Sequence, residues 1–109
     1  MTISEISVQD LAALGPTARV VDVREANEYE SGHITYAVHI PLATVPERLG
    51  AFDGEPTFVV CRSGARSANA CRFLEEQGIA AVNVFGGMLA WAEAGLDIES
   101  GPASGTSGG

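Results

Sequence analysis

The sequence predicts an α/β domain with a mainly parallel sheet, and three observations support this fold class. The chain has 109 residues, 46% hydrophobic and 18% charged, which suits one globular domain with a modest core. Short runs rich in β-branched residues alternate with helical patterns, as in strand–helix–strand units. Two of these runs contain adjacent valines, at residues 20–21 and 59–60, and such pairs are typical of strands buried on both faces.

Five runs are predicted to be strands. They cover residues 19–23, 37–40, 57–60 and 81–85, with a fifth strand near residues 3–6. In a parallel sheet built this way, functional sites lie beyond the carboxyl ends of the strands. We therefore expect the active residues at that edge.

Helices are predicted between and after these strands, over residues 8–14, 26–30, 42–49, 65–77 and 88–94. Ser7 is placed to cap the first helix with its hydroxyl oxygen. Pro46 is tolerable in the third helix only if the first turn begins close to it. Gly78 and Ile79 are placed to end the fourth helix in a Schellman motif.

The domain is predicted to occupy residues 1–100. Residues 101–109 contain only Gly, Pro, Ala, Ser and Thr, and we expect a flexible tail because such a stretch has nothing to bury. No apolar run approaches the ~18 residues of a membrane span. The N-terminus lacks the basic and apolar regions of a signal peptide, so a cytoplasmic location is expected.

The charge balance limits the classes of partner. Fourteen acidic residues against six arginines give a net charge of −8, which argues against nucleic acid and anionic membranes. Two cysteines are too few for a disulfide framework. Cys61, Cys71, His33 and His39 lack the spacing of paired metal ligands, so neither a metal nor another cofactor is expected.

Residues 61–67 are the most informative segment. Cys61 stands where a predicted strand stops, and a predicted helix begins a few residues later. The amides of the intervening loop and of the first helical turn can converge on one point and stabilise an anion there. Gly64 permits the backbone turn that such a loop needs.

Charge is concentrated around this cysteine. Arg62, Arg66 and Arg72 are three of the six arginines, and no acidic residue occurs between Glu55 and Glu75. A positive segment in an acidic chain indicates a site for an anion, and it should lower the pKa of the Cys61 thiol. Cys71, by contrast, falls inside a predicted helix beside apolar residues and is expected to belong to the core.

Three segments in the same order resemble the single-domain rhodaneses, a family of sulfurtransferases. The first is residues 21–25, followed by Glu28-Tyr29 and Gly32-His33-Ile34 and ending at Ile40-Pro41-Leu42. The second is residues 61–67, and the third is Gly86-Gly87-Met88 with Trp91 and residues 94–96. The resemblance runs from about residue 5 to residue 98. It implies a five-stranded, mainly parallel sheet with helices on both faces.

The resemblance also implies a chemistry. Cys61 would take a sulfane sulfur from an anionic donor, thiosulfate or a persulfide, and the resulting persulfide would pass it to cyanide, a small thiol or a protein thiol. The amides of the loop would hold the terminal sulfur, while Arg62 and Arg66 attract the donor and Arg66 braces the loop. The implied binding residues are Arg62, Ser63, Gly64, Ala65, Arg66 and Ser67.

Two other functions stay open. Cysteine phosphatases resemble Cys-x5-Arg, whereas only four residues separate Cys61 from Arg66 here. The shorter ring should suit a single sulfur atom better than a phosphate, which favours sulfur transfer over a phosphatase or an arsenate reductase. A non-enzymatic sulfur carrier or redox-sensing module is the third hypothesis.

The remaining polar residues are interpreted structurally. Asp22 and Arg24 lie at a strand end near the expected site, and a charged pair that ties loops together is favoured over a catalytic acid. His33 is expected to be a satisfied turn histidine, and so is His39 in its strand. Tyr36 stands where the family usually has glycine, so it is expected to be strained if that glycine has positive φ.

Overall fold

The computed structural model describes residues 3–102, and its helices and strands alternate along the chain. They are β1 (Ser4–Ile6), α1 (Val8–Leu14), β2 (Val20–Asp22), α2 (Ala26–Ser31), β3 (His33–Ile34), β4 (Val38–His39), β5 (Thr57–Val60), α3 (Ala65–Glu76), β6 (Ala81–Val84), α4 (Gly87–Glu93) and β7 (Ile98–Glu99). Short 3-10 segments cover Gly15–Thr17, Leu42–Glu47 and Leu49–Phe52.

The central sheet has five parallel strands in the order β1-β6-β5-β2-β4. The central strand is β5, and beside it Val21 of β2 lies between Val59 of β5 and Val38 of β4. All five predicted strands are therefore present, each with the predicted bounds or slightly shorter. The predicted α/β fold with a mainly parallel five-stranded sheet is confirmed.

Helices cover both faces of this sheet and bury a core on each side. On one face, Ala70, Cys71 and Leu74 of α3 pack in a cluster with the 3-10 residues Val45 and Phe52. On the other face, α1 and α4 supply a second cluster that contains Val8, Leu11, Met88 and Trp91. Because both faces are covered, β2 is buried at all three of its positions and β5 at three of its four, as the adjacent valines predicted.

One predicted helix is wrong and one pair of strands was not predicted, each for a physical reason. The helix expected over residues 42–49 is a pair of 3-10 segments, because Pro46 has no amide hydrogen to continue an α-helical ladder. The strands β3 and β7 form an antiparallel pair that the sequence analysis missed. Each has two residues, which is too short for a periodic pattern.

Local signals were more reliable at the helix ends. The Asp10 amide donates to the Ser7 hydroxyl at 3.1 Å, which is the predicted cap. The Ile79 amide donates to the Leu74 carbonyl at 2.9 Å, and together with the bond from Gly78 to Glu75 it completes the predicted Schellman motif.

The turn that contains Tyr36 is unstrained. No residue other than glycine has positive φ among residues 3–102. The Ala37 amide closes the turn on the Ile34 carbonyl at 2.9 Å, and the Tyr36 side chain packs against the cluster of α1 and α4. The strain expected if this position needed positive φ is therefore absent.

The C-terminal tail expected over residues 101–109 lies outside the described residues from position 103 onward. Gly101 is described, and its amide donates to the Glu30 carbonyl at 2.8 Å. Among residues 3–102, no helix has the length and apolar character needed to cross a membrane.

Candidate active site

Cys61 directly follows β5, at the carboxyl edge of the sheet. Its Sγ accepts hydrogen bonds from the backbone amides of Gly64, at 3.1 Å, and Ser67, at 3.3 Å. The Ser67 hydroxyl lies 3.3 Å from the same sulfur. We call residues 61–67 the cysteine loop. Cys61 is only 1% exposed, because the loop covers its sulfur.

Gly64 gives the loop its turn. Its φ of +112° lies in the left-handed region, where a residue with a side chain would be strained. Gly64 is also the residue before α3, so the loop turns and the helix starts at the same point. The amides of Gly64 and Ser67 are thereby brought onto one sulfur atom.

The carbonyl groups of the loop are held from the opposite side by α4. The Met88 amide donates to the Cys61 carbonyl at 2.8 Å, and the Leu89 amide donates to the Arg62 carbonyl at 3.0 Å. This approach depends on Gly87, where a Cβ would lie 2.5 Å from both of those carbonyl oxygens. The carbonyl groups of Cys61 and Arg62 are thereby held on the side of the loop that faces α4.

The pKa of the Cys61 thiol is lowered, in the direction that the sequence analysis predicted. Burial raises the pKa, but hydrogen bonds from the Ser67 hydroxyl and from the amides of Ser67, Gly64 and Ser63 outweigh it. The arginines around Cys61 predicted that their positive charge would contribute to the lowered pKa. The contacts instead assign it to donors of the loop itself.

Arg66 braces the loop through an ion pair. Its guanidinium nitrogens lie 2.7 and 2.8 Å from the two carboxylate oxygens of Glu28 in α2. This bond lowers the pKa of Glu28 to about 2, and Glu28 in turn raises the pKa of Arg66. Sequence reasoning did not identify Glu28 as the partner of Arg66, because the two residues are 38 positions apart in the chain.

The two arginines of the loop differ in whether an acidic side chain balances their charge. Arg66 is balanced by Glu28, whereas Arg62 is exposed and forms no ion pair with any residue in the range 3–102. Arg62 and Leu89 lie on a surface depression that also borders the Glu28 ion pair. An anion that approaches this side of the loop meets Arg62 as the uncompensated cation.

Cys71 is a core residue, as predicted. It is fully buried in α3 and belongs to the cluster beneath the sheet. Burial, followed by the charge of Glu75, raises the pKa of its thiol to about 12. The two cysteines of the chain therefore differ sharply in their readiness to ionise.

Asp22 and Arg24 form a buried ion pair beside the carboxyl edge. Arg24 Nη2 lies 2.7 Å from Asp22 Oδ2, and Nε lies 3.0 Å from Oδ1. The same Nη2 donates to the Gly32 carbonyl at 2.7 Å. Since these contacts join the end of β2 to the end of α2, they match the charged pair that ties loops together.

The two histidines make backbone contacts away from the sulfur. His33 Nδ1 lies 2.7 Å from the Tyr29 carbonyl oxygen, and its ring stacks on the Tyr29 ring. His39 Nε2 lies 2.8 Å from the Arg24 carbonyl oxygen. Both agree with the structural role expected of them. Within the described residues, no group of three histidine, cysteine or acidic side chains is arranged to hold a metal ion.

Asn83 is a site residue that the sequence analysis did not single out. It is buried in β6, and its carboxamide oxygen is hydrogen-bonded to the Ser67 hydroxyl. Its Nδ2 donates to Glu5 at 3.0 Å and to the Gly64 carbonyl at 3.3 Å. The only signal in the sequence is a polar residue between two strand valines, at 82 and 84.

Comparison with known proteins agrees with this geometry. Residues 7–94 match the family of rhodanese-like domains. The chain is 48% identical over 73 residues to the putative sulfurtransferase YtwF of Bacillus subtilis, an alignment that covers 66% of this chain and 71% of that protein. It is 34% identical over 93 residues to the thiosulfate sulfurtransferase GlpE of Shewanella oneidensis, covering 82% of this chain and 92% of that protein.

A solved structure is similar over almost the whole chain. The crystal structure of a rhodanese-related protein from Thermoplasma volcanium superposes with a TM-score of 0.83 at 32% sequence identity. The match covers 88% of this chain and 97% of that protein.

Proposed function

Because the chain belongs to the rhodanese-like family, we propose that it is a sulfurtransferase in which Cys61 carries a sulfane sulfur from a donor to a thiophilic acceptor. One observation carries this proposal above the others. The Cys61 sulfur accepts hydrogen bonds from the amides of Gly64 and Ser67 at 3.1 and 3.3 Å. Such a ring stabilises negative charge on sulfur, which every step of the reaction requires.

In the first step the Cys61 thiolate attacks the terminal sulfur of the donor. With thiosulfate, a new bond forms between Sγ and that sulfur while the bond between the two donor sulfurs breaks, and sulfite leaves with its electron pair. Cys61 then holds a persulfide whose outer sulfur carries the negative charge. Preorganised amides favour this anion because they need no reorientation as it forms.

In the second step the outer sulfur is passed on. A cyanide ion or a thiolate attacks it, the bond between Sγ and the outer sulfur breaks, and Cys61 leaves as a thiolate. Cyanide gives thiocyanate, whereas a thiol acceptor gives a new persulfide. The lowered pKa of Cys61 suits both steps, since the thiolate is the nucleophile in the first and the leaving group in the second.

The size of the ring favours sulfur over phosphate. Only four residues separate Cys61 from Arg66, and the loop amides already close on Sγ itself at hydrogen-bond distance. Arg66, which would have to hold a phosphate, is bound on both nitrogens by Glu28. These features leave Arg62 to attract an anionic sulfur donor, and they argue against turnover of an aryl phosphate.

The decisive experiment is the intact mass of the protein after incubation with thiosulfate. We expect a gain of roughly 32 Da, one sulfur atom, that cyanide removes. Cys61→Ala should show no gain, while the matched control Cys71→Ala should load normally. Sulfur transfer from thiosulfate to cyanide by Cys61→Ser would overturn the proposal, and so would hydrolysis of an aryl phosphate that depends on Cys61.

A further inference from the structure

Asn83 is a buried polar side chain in an otherwise apolar strand. It lies in β6 between Val82 and Val84 and is 2% exposed. A carboxamide in such a place is costly unless its polar atoms are hydrogen-bonded. All of its partners lead to the cysteine loop or to Glu5 at the edge of the sheet.

The contacts determine which way the carboxamide points. Nδ2 faces two acceptors, the Glu5 carboxylate at 3.0 Å and the Gly64 carbonyl at 3.3 Å, so the nitrogen must be on that side. Oδ1 therefore faces the Ser67 hydroxyl and needs a donor from it. The reverse orientation would set an oxygen against two oxygens.

The Ser67 hydroxyl has one hydrogen and two acceptors within reach. Its oxygen is in hydrogen-bond contact with Asn83 Oδ1 and also lies 3.3 Å from Cys61 Sγ. One O–H group cannot donate to both along good geometry at the same time. At any moment the hydroxyl therefore donates either to the carboxamide oxygen or to the sulfur.

We propose that Asn83 is a positioning residue that accepts the Ser67 hydroxyl hydrogen while Cys61 Sγ is uncharged and releases it to Sγ while the sulfur is a thiolate. A hydrogen bond to a charged sulfur is stronger than one to a neutral carboxamide. Leaving Oδ1 buried without a donor is a cost of comparable size. The two positions are thus close enough in free energy for the charge on Sγ to decide between them.

This inference rests on the proposed sulfur transfer, in which the charge on Sγ changes at each step. The free thiolate would receive the Ser67 hydrogen. Once the persulfide forms, the charge moves to the outer sulfur, and the hydroxyl can return to Asn83. When the acceptor removes the outer sulfur, Sγ leaves as an anion and is stabilised again by Ser67.

Four charged groups surround the sulfur and Asn83, and their effect on the titration must be held constant. Arg66 on α3 is paired with Glu28 on α2, Arg62 is exposed on the loop, and Glu5 on β1 faces the far side of Asn83. All four remain in every variant proposed below. A shift in the Cys61 titration that depends on Ser67 therefore cannot come from them.

The test is a double-mutant cycle between Asn83→Val and Ser67→Ala. The thiolate of Cys61 is titrated by its ultraviolet absorbance and by its rate of alkylation against pH, with Cys61→Ser as the blank. In the otherwise wild-type protein, Asn83→Val should lower the titration midpoint of Cys61 by about half a pH unit. The reason is that the Ser67 hydroxyl loses its competing acceptor. In the Ser67→Ala background, Asn83→Val should leave the midpoint unchanged.

The alkylation rate of the fully ionised thiolate gives a second readout. Asn83→Val should reduce it in the chain with Ser67, since a thiolate of lower basicity is less nucleophilic. Valine suits the strand, and circular dichroism checks the fold; if Asn83→Val does not fold, Asn83→Ala is used in the same cycle.

Equal midpoint shifts in both backgrounds, or no shift in either, would overturn the proposal, because a structural effect on the loop does not depend on the Ser67 hydrogen. The titration needs no sulfur donor. A failed cycle therefore leaves the proposed function standing, and absence of transfer from thiosulfate does not change the cycle.

Discussion

The Met88 amide donates to the carbonyl oxygen of Cys61 over 2.8 Å, so the start of α4 is joined to the cysteine loop. This bond and its neighbour from Leu89 hold two carbonyl groups on the outer side of the loop. Peptide groups are planar, so fixing a carbonyl also fixes the direction of the amide that follows it. Through the Arg62 carbonyl, the last helix thus fixes the direction of the Ser63 amide, one of the donors that lower the pKa of Cys61.

Gly87→Ala should disturb this contact more than any other glycine substitution in α4 or after it. A Cβ there would lie 2.5 Å from two carbonyl oxygens, and the φ of +58° adds strain. We expect a loss of about 2–4 kcal/mol in the free energy of unfolding, measured in urea, from overpacking and left-handed backbone together. Persulfide formation should slow as well.

Gly95→Ala is the matched control for Gly87→Ala. Gly95 also has positive φ, +73°, but nothing lies within 4 Å of its Cβ position. It should lose only about 1 kcal/mol and keep the normal rate of sulfur loading. Equal losses for the two variants would show that the close approach to the loop carbonyls is unimportant.

Glu28→Gln should weaken the brace on Arg66 in a manner that depends on pH. The folded pKa of Glu28 is about 2, below its ordinary value of 4.5. Its stabilisation is therefore fully present above pH 4.5 and disappears as the pH falls through about 2. Both side chains are partly exposed, so the difference in unfolding free energy should not exceed about 1 kcal/mol.

The measurement is urea unfolding of both proteins across this pH range. The wild-type advantage should be constant near neutral pH and shrink progressively in acid. An advantage that grows as the pH falls would contradict the assignment of the lowered pKa to Arg66.

The two cysteines should react very differently. Because the pKa of Cys61 is lowered and that of Cys71 is raised to about 12, a small alkylating reagent near neutral pH should modify Cys61 alone. Peptide mapping after iodoacetamide treatment checks this. Since Cys61 is 1% exposed, a bulky maleimide should be slowed much more than iodoacetamide, each measured against its own rate with a free small thiol. Modification of Cys71 at a comparable rate would be incompatible with its buried position in α3.

Asp22→Ala should be among the most destabilising changes in the chain. It leaves the Arg24 guanidinium buried without its carboxylate, which costs about 3–5 kcal/mol. The double variant Asp22→Leu with Arg24→Met should recover part of this loss, because no unpaired charge remains. Urea unfolding of the three proteins measures the effect. A stable Asp22→Ala protein that has lost persulfide formation would instead support the catalytic acid.

Much of the fold was predictable because it is encoded locally. The valines of β2 and β5, the Ser7 cap and the Schellman motif at Gly78 each depend on neighbours in the chain. The cysteine loop is also encoded locally, since a strand end, a glycine and a helix start follow one another closely in the chain. The 3-10 segments around Pro46 were not predicted because the apolar residues there have helical spacing. That spacing does not show that the missing amide hydrogen of Pro46 interrupts the α-helix.

What the sequence determined by itself is the cysteine loop: a cysteine at the carboxyl end of a parallel strand, followed by a turn and a helix start whose amides point at its sulfur. Only the tertiary structure decided which groups restrain that segment. Glu28 holds Arg66 from 38 residues away, Asn83 reaches Ser67 from the adjacent strand, and α4 binds the loop carbonyls. The physical reason is that hydrogen bonds and ion pairs act over a few ångströms in space, and partners distant in the chain meet only when the sheet has set its strand order.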